Sequence, residues 1–256
     1  MRKSSIVRAV SLAGALSLGT ALAEPARALA DGETFTYALY LKHGFVTVKA
    51  GMAQLDVKER DGAYEATMTL KALPVVDMIY HLYARMTTRL TPELKPLRYE
   101  KHAEEGGCVY DEVSSFSYPQ EGGCRITSKQ TYKDGTVKER ETQRPGEVFD
   151  LLSLIFHARR LDVSSLTPGA RLDVAVVSGV TVRDQSLEYK GVEEVETDDG
   201  TKAKVGIFSL SSDEDGGVTA RFAFSQEGKR VIQRIDILHK YGSLSARLRP
   251  SPNPEK

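Results

Sequence analysis

Charge of one sign is the first thing this sequence lacks. Thirty-five Lys and Arg are matched by thirty-five Asp and Glu. A chain so balanced has no electrostatic footprint for nucleic acid and no broad attraction to anionic surfaces. Cysteine is scarce, at two residues in 256, which allows one disulfide at most. Catalytic signatures are missing as well. There is no HExxH, no GxSxG elbow, no Walker A loop and no GxGxxG after a strand. His43, His81, His102, His157 and His239 include no i, i+4 pair on one helix, so the usual zinc spacings are absent. No metal, cofactor or catalytic residue is therefore expected.

Long apolar runs are confined to the start, MRKSSIVRAVSLAGALSLGTALAEPARALA. Arg2, Lys3 and Arg8 precede an apolar run from Ala9 to Ala23, and Ala21-Leu22-Ala23 and Ala28-Leu29-Ala30 fit the small-x-small cleavage pattern. This is the layout of a secretory signal peptide over residues 1–30, cut after Ala23 or Ala30. The run is shorter than the about 20 residues a spanning helix needs. With no cysteine at either cleavage site, a lipoprotein anchor is not expected, and the expected location is the periplasm. Losing Arg2, Lys3, Arg8, Arg27 and Glu24 leaves 31 basic and 34 acidic side chains, formally −3. Residues 31–248 read as one β-rich domain, and 249–256, RPSPNPEK from Arg249 on, as a disordered tail.

What is present is hairpin chemistry. Asp-Gly occurs at Asp31, Asp61, Asp134, Asp199 and Asp215, and Gly tolerates the positive φ that tight hairpins require. Around Asp61-Gly62, Ala53, Leu55 and Val57 alternate with Gln54, Asp56 and Lys58. Tyr64, Ala66, Met68, Leu70 and Ala72 then share one face. The alternation recurs in VGIFSLSS, VTARFAFSQ and VIQRIDILHK.

Two stretches break this rhythm. LPVVDMIYHLYARM (73–86) reads as a short, mostly apolar helix-like segment. EVFDLLSLIFHARRLD (147–162) reads as a helix with Asp150 as N-cap, buried on most sides, and with Arg159 and Arg160 in its last turn. The fold expected is mainly β. It is a large curved antiparallel sheet or half-open β-barrel with one or two short helices on it, the buried one covering the concave face.

The segment FDLLSLIFHARRLDVSSLTPG resembles the central block of the bacterial exported family of unknown function DUF3108, with its versions from Bacteroidetes nearest in pattern. TYALYLKHGFVTVKAGMAQLDV, TPELKPLRYEK and YGSLSARL are similar to its opening, its Pro-Leu-Arg strand and its closing block. These landmarks run from about Phe35 to Leu248. The Trp common near the ends of family members is absent, since the chain has none. The resemblance implies an exported β-rich envelope protein with no established reaction, and it lends no catalytic residue.

Residue by residue, ordinary readings compete with functional ones. His81 and His157 lie in the apolar segments and read as core or interface residues. Asp213-Glu214-Asp215-Gly216 lacks EF-hand spacing and reads as a solvated turn. Glu193, Glu194, Glu196, Asp198 and Asp199 read as a solvated strand end. Arg85 and Arg89 read as solvent-facing on an edge strand. Three functional readings follow. In the first, a non-enzymatic binding protein takes a lipid, lipoprotein segment or other apolar ligand inside its curved shell, lined by Tyr37, Tyr40, Phe45, Tyr80 and Phe156. In the second, an envelope interaction protein works through its strand edges. The third is a hydrolase with an unrecognised site.

The tetrapeptide EGGC occurs twice, ending at Cys108 and at Cys124. Read as turns, the Gly-Gly pairs place the two cysteines at opposite ends of one strand, roughly 30 Å apart at about 3.3 Å per residue. A disulfide needs Cα atoms within about 7 Å. Two free thiols are expected, unless residues 109–123 fold back as a loop.

Overall fold

The computed structural model describes residues 29–212, 217–226, 230–239 and 242–250. Nearly all of the expected leader, the Asp213–Gly216 turn and most of the tail lie outside them. The chain first builds an antiparallel meander: β1 (Thr34–His43), β2 (Val46–Arg60), β3 (Ala63–Ala72), then α1 (Pro74–Asp77), then β4 (Leu82–Leu90), β5 (Pro96–Glu105), β6 (Cys108–Ser117), β7 (Cys124–Tyr132) and β8 (Val137–Arg144). A short β9 (Val148–Phe149) and α2 (Leu151–Arg160) follow. A second meander comprises β10 (Arg171–Ser178), β11 (Thr181–Glu196), β12 (Lys202–Ser212), β13 (Val218–Ser225), β14 (Ile232–His239) and β15 (Gly242–Leu248).

Among the described residues, fifteen strands form one sheet. Its order is β8-β7-β6-β5-β4-β3-β2-β1-β15-β14-β13-β12-β11-β10-β9. Every pairing is antiparallel except β9 with β10. The sheet curls into a nearly closed barrel. Its last gap is bridged by side chains: Arg144 on β8 pairs with Asp184 on β11, and Glu112 on β6 accepts from the amide of Gly179 at 3.4 Å. The free edge β8 reads VKERETQR and is mostly exposed. Such a charged edge discourages strand addition, which weakens the strand-edge route to a partner.

Local chemistry explains the meander. At Asp61-Gly62 both residues have positive φ, 52° and 68°, which is the two-residue hairpin turn the dipeptide favours. Gly106 and Gly107 repeat it at 57° and 88°, with Glu105 paired to Cys108 across the turn. Gly123 serves a different need, because a Cβ there would lie 2.4 Å from the Arg144 carbonyl oxygen. Asp134-Gly135 and Asp199-Gly200 also join strands, whereas Asp31-Gly32 is a turn ahead of β1.

The expected buried helix is α2. Asp150 caps it, its Oδ1 accepting from the amides of Leu152 at 2.9 Å and Ser153 at 3.0 Å. The Ser153 hydroxyl accepts in return from the Asp150 amide at 2.9 Å. Leu152, Leu154, Ile155, Phe156 and Ala158 are all buried and join one core with Tyr37, Leu55, Met68, Phe116, Phe208 and Phe224 from the sheet wall. Fully burying each large apolar side chain contributes roughly 1.5–3 kcal/mol.

The segment 73–86 differs from expectation. Only Pro74–Asp77 is helical, none of it is buried, and a strand begins at Leu82. From there Ala84 and Met86 turn inward and Arg85 outward, so period two overrides the apolar run. Arg85 and Arg89 face solvent as read, but β4 is paired on both sides and is not an edge.

Both thiols are free, with Cys108 exposed and Cys124 buried. Cys108 opens β6, while Cys124 precedes Arg125, which pairs with Ser117 at the far end of that strand. Burial also pushes the Cys124 thiol above its usual range. Alkylation of the native protein without reductant should label Cys108 quickly and Cys124 slowly, and both once the chain is unfolded. Absence of label after unfolding would reveal a disulfide and refute this register.

Candidate functional site

The five candidate ligand-lining residues occupy three separate places. Tyr37 and Phe156 are fully buried in the packed interior. The Tyr37 hydroxyl donates to the Ile232 carbonyl at 3.2 Å, and burial pushes its ionisation far above the usual range. Tyr40 lies on the outer face, where its hydroxyl donates to Asp198 at 2.7 Å and the Arg247 guanidinium stacks 4.4 Å from its ring centre. Phe45 and Tyr80 sit exposed at one end of the barrel. These residues do not line one cavity. α2 fills the concave face instead, and its C-terminal carbonyls are held from the sheet side. Arg230 Nη1 donates to Arg159 O at 2.9 Å and also to Leu161 O. Its guanidinium lies 5.2 Å from the Phe224 ring centre, and burial pulls its pKa down to about 10.

The acidic stretch 193–199 is only partly a solvated strand end. The β11–β12 hairpin reaches over the outer face, burying Val195, Val205, Ile207 and Ala223 in a second small core. Its tip residue Asp198 accepts from Lys49 at 2.8 Å and from Tyr40, and pairs with Arg249 at 3.1 Å. Burial opposes ionisation of Asp198. The hydrogen bonds from Lys49 and Tyr40 outweigh it and hold the carboxyl below its usual range. Beside the hairpin lies a shallow groove between Glu193, Val195, Arg221, Arg234 and Asp236. Arg234 and Asp236 already pair with each other there at 2.8 Å.

One end of the barrel is apolar outside. β1 finishes there, and the register brings the β5–β6 and β7–β8 turns to the same end. Among the described residues, twelve large apolar side chains are exposed, and eight fall on two connections at this end. Leu41, Phe45, Val46 and Val48 form the β1–β2 hairpin tip. Val75, Met78, Ile79 and Tyr80 form α1 and the turn after it. The Leu73 amide bonds to the Ala50 carbonyl at 2.8 Å and holds the two connections side by side. The Tyr80 ring lies against Gly106, where a Cβ would come within 2.8 Å of it.

A chain of alternating imidazoles and carboxylates anchors α1 to the wall. His81 lies 2.8 Å from Asp77 and 3.0 Å from Glu104. His102 lies 3.2 Å from Glu104 and 2.8 Å from Asp111. A carboxylate only accepts, so an imidazole held between two of them is satisfied on both sides when doubly protonated. The hydrogen bond to Glu104 accordingly raises His81, and that to Asp111 raises His102. Glu104, bonded to His102 and His81, is held low. Among the described residues no three such groups are set for a metal ion. Both rings thus direct their nitrogens at carboxylates, and the chain of contacts ties α1 to β5 and β6. The sequence offered part of this chain through the i, i+4 spacing of Asp77 and His81, and through the Gly-Gly turn that sets His102 opposite Asp111.

In fold, the chain is similar to a solved β-barrel-like protein of the domain of unknown function DUF1849 from Brucella abortus. The TM-score is 0.58 at 10% identity, covering 87% of this chain and 97% of that one. No curated protein matches the sequence. The model of the family described as a protein of unknown function, DUF3108, matches residues 36–249, which include every strand of the barrel except the first two residues of β1. The chain belongs to the DUF3108 family.

Proposed function

We propose that this is an exported protein of the bacterial envelope that works by binding, without chemistry of its own, through the apolar end of its barrel. The observation that carries the reading is the concentration of eight of twelve exposed large apolar side chains on the β1–β2 tip and the α1 turn. Large apolar side chains left exposed together at one end support an interaction site there, since such groups are otherwise mostly buried in this protein. The leader-like residues 1–30 support export. The interior packing supports an external site, since α2 stands where an enclosed ligand would lie.

The test is position-dependent crosslinking in cells producing the full chain. A photo-activatable residue at Phe45 or Ile79 should give discrete adducts, and one at Glu59, beside the opposite turn, should give none. Equal adducts at all three positions, or none at any, would remove the apolar end as the binding surface. Recovery of the chain from a periplasmic fraction, shortened by the leader, tests export separately.

A further inference from the structure

We propose that His81 and His102 form a pH-set latch, which holds α1 against the barrel wall in acid and releases it as the rings lose their second proton. Each of the four ring nitrogens lies 2.8–3.2 Å from a carboxylate oxygen. Glu104 stands between the rings and turns one oxygen to each, Oε2 to His81 and Oε1 to His102. Carboxylates only accept, so four contacts require four N–H groups. Two doubly protonated rings supply all four, whereas two neutral rings supply two. A neutral ring therefore aims a lone pair at one of its carboxylates, and that contact turns repulsive. Three carboxylates with two charged rings carry −1, and with two neutral rings −3.

His81 spans from Asp77 on α1 to Glu104 on β5, so losing either contact opens the bridge. α1 has little else to resist release, since none of its residues is buried. The backbone is tied on either side of it. The Leu73 amide donates to the Ala50 carbonyl before α1, and the Gly106 amide donates to the His81 carbonyl at 3.0 Å after it. Between those ties lie Met78 and Ile79, 80% and 88% exposed, so opening the latch frees the segment that carries them. The acids that touch the rings are Asp77 from α1, Glu104 from β5 and Asp111 from β6. On β4, Arg85 pairs with His102 in register and the Tyr83 ring centre lies 6.0 Å from that of His102. The Lys71 ammonium of β3 lies 5.7 Å from the Tyr83 ring centre. The acids at hydrogen-bond distance prevail, Glu104 most at His81 and Asp111 most at His102, and both rings are raised above the usual range. A histidine raised on folding contributes stability that is complete below its unfolded value of about 6.5. That stability is lost as pH rises through the higher folded value. The latch is closed in acid and opens above about pH 6.5. It acts on α1 whether or not the apolar end binds a partner.

The experiment is an NMR titration of the purified protein from about pH 5.5 to about pH 8.5. The ring carbons of His81 and His102 should titrate with apparent midpoints above about 6.5. The Cα signals of Val75, Val76 and Asp77 should move toward unfolded values with the His81 midpoint. The open population of α1 should rise about twofold to fivefold over the range, the factor that exposed ion pairs supply. His81→Gln should remove this step, and Asp77→Asn should remove it and lower the His81 midpoint as well. Both positions are exposed, so circular dichroism and the signals of β12 should not move. A His81 midpoint at or below about 6.5, α1 signals that ignore the titration, or a step that survives in His81→Gln overturns the latch. Crosslinking at Phe45 and Ile79 tests the binding end separately, and its failure leaves these outcomes unchanged.

Discussion

Replacing Phe156 with alanine is expected to lower stability by about 3–5 kcal/mol, among the largest effects available from one side chain. Phe156 is fully buried within α2, and α2 is enclosed by walls from both meanders. Removing the ring forfeits its transfer free energy and leaves a cavity that neighbours such as Leu154 and Ile155, also fully buried, cannot refill without leaving their own contacts. Urea unfolding should show a lower midpoint with an unchanged slope. The result also separates two descriptions of the interior. If Phe156 lined an open ligand chamber, the ring would be half solvated, and its loss would cost on the order of 1 kcal/mol. A measured cost that small would mean that α2 does not fill the shell.

The second large effect belongs to Asp150. Its carboxylate caps α2 through two amides and accepts from the Thr88 hydroxyl at 2.8 Å, with Asp150 and Thr88 both fully buried. Asp150→Ala removes the cap, worth about 1–2 kcal/mol, and strands the buried Thr88 hydroxyl, worth about 1–3 kcal/mol more. A combined loss of about 2–5 kcal/mol should follow in denaturant unfolding. Asp150→Asn keeps one acceptor oxygen for the helix amides and should cost less. Its cost should also depend on pH. Burial raises the Asp150 carboxyl above its usual range, against the hydrogen bonds that lower it. A carboxyl raised on folding contributes stability that is complete below its unfolded value of about 3.9 and is lost as pH rises through its folded value. The asparagine variant lacks that loss. Its deficit relative to the native chain should therefore shrink from acid toward neutral pH. A deficit that grows over the same range would mean that the capping bonds outweigh burial and hold the carboxyl low.

The fold was legible where one local rule decides one element. Asp150 ahead of an apolar run marked α2, and the Gly-Gly turns put Cys108 and Cys124 at opposite ends of β6. The rule failed at Leu82–Met86, where Leu82, Tyr83, Ala84 and Met86 surround Arg85 and the apolar run masks the alternation. Pairing with both β3 and β5 decided for strand. The site was harder to read. An aromatic pattern says that Tyr37 and Phe156 face inward, but a residue packed against a helix and one lining a chamber give the same pattern. Asp198 looked like one more acid in a turn, because Lys49 and Tyr40 lie 149 and 158 residues away. The apolar tips were visible as residues, yet their exposure is a property of where the sheet stops.

β1, the first strand of the barrel, ends up in the middle of the sheet. Tyr37 pairs with Leu248, more than two hundred residues later. Closing so long a loop adds little to the entropy of folding, about 0.6 kcal/mol per doubling of length, but such distant pairings form slowly. The strands from β2 to β8 each pair with the strand just before them, so the first meander can assemble as soon as it is made. β1 then waits with one side of its backbone unpaired until β15 has been synthesised. For that interval the centre of the finished barrel is an open edge, and a second copy of the chain competes with β15 to cover it.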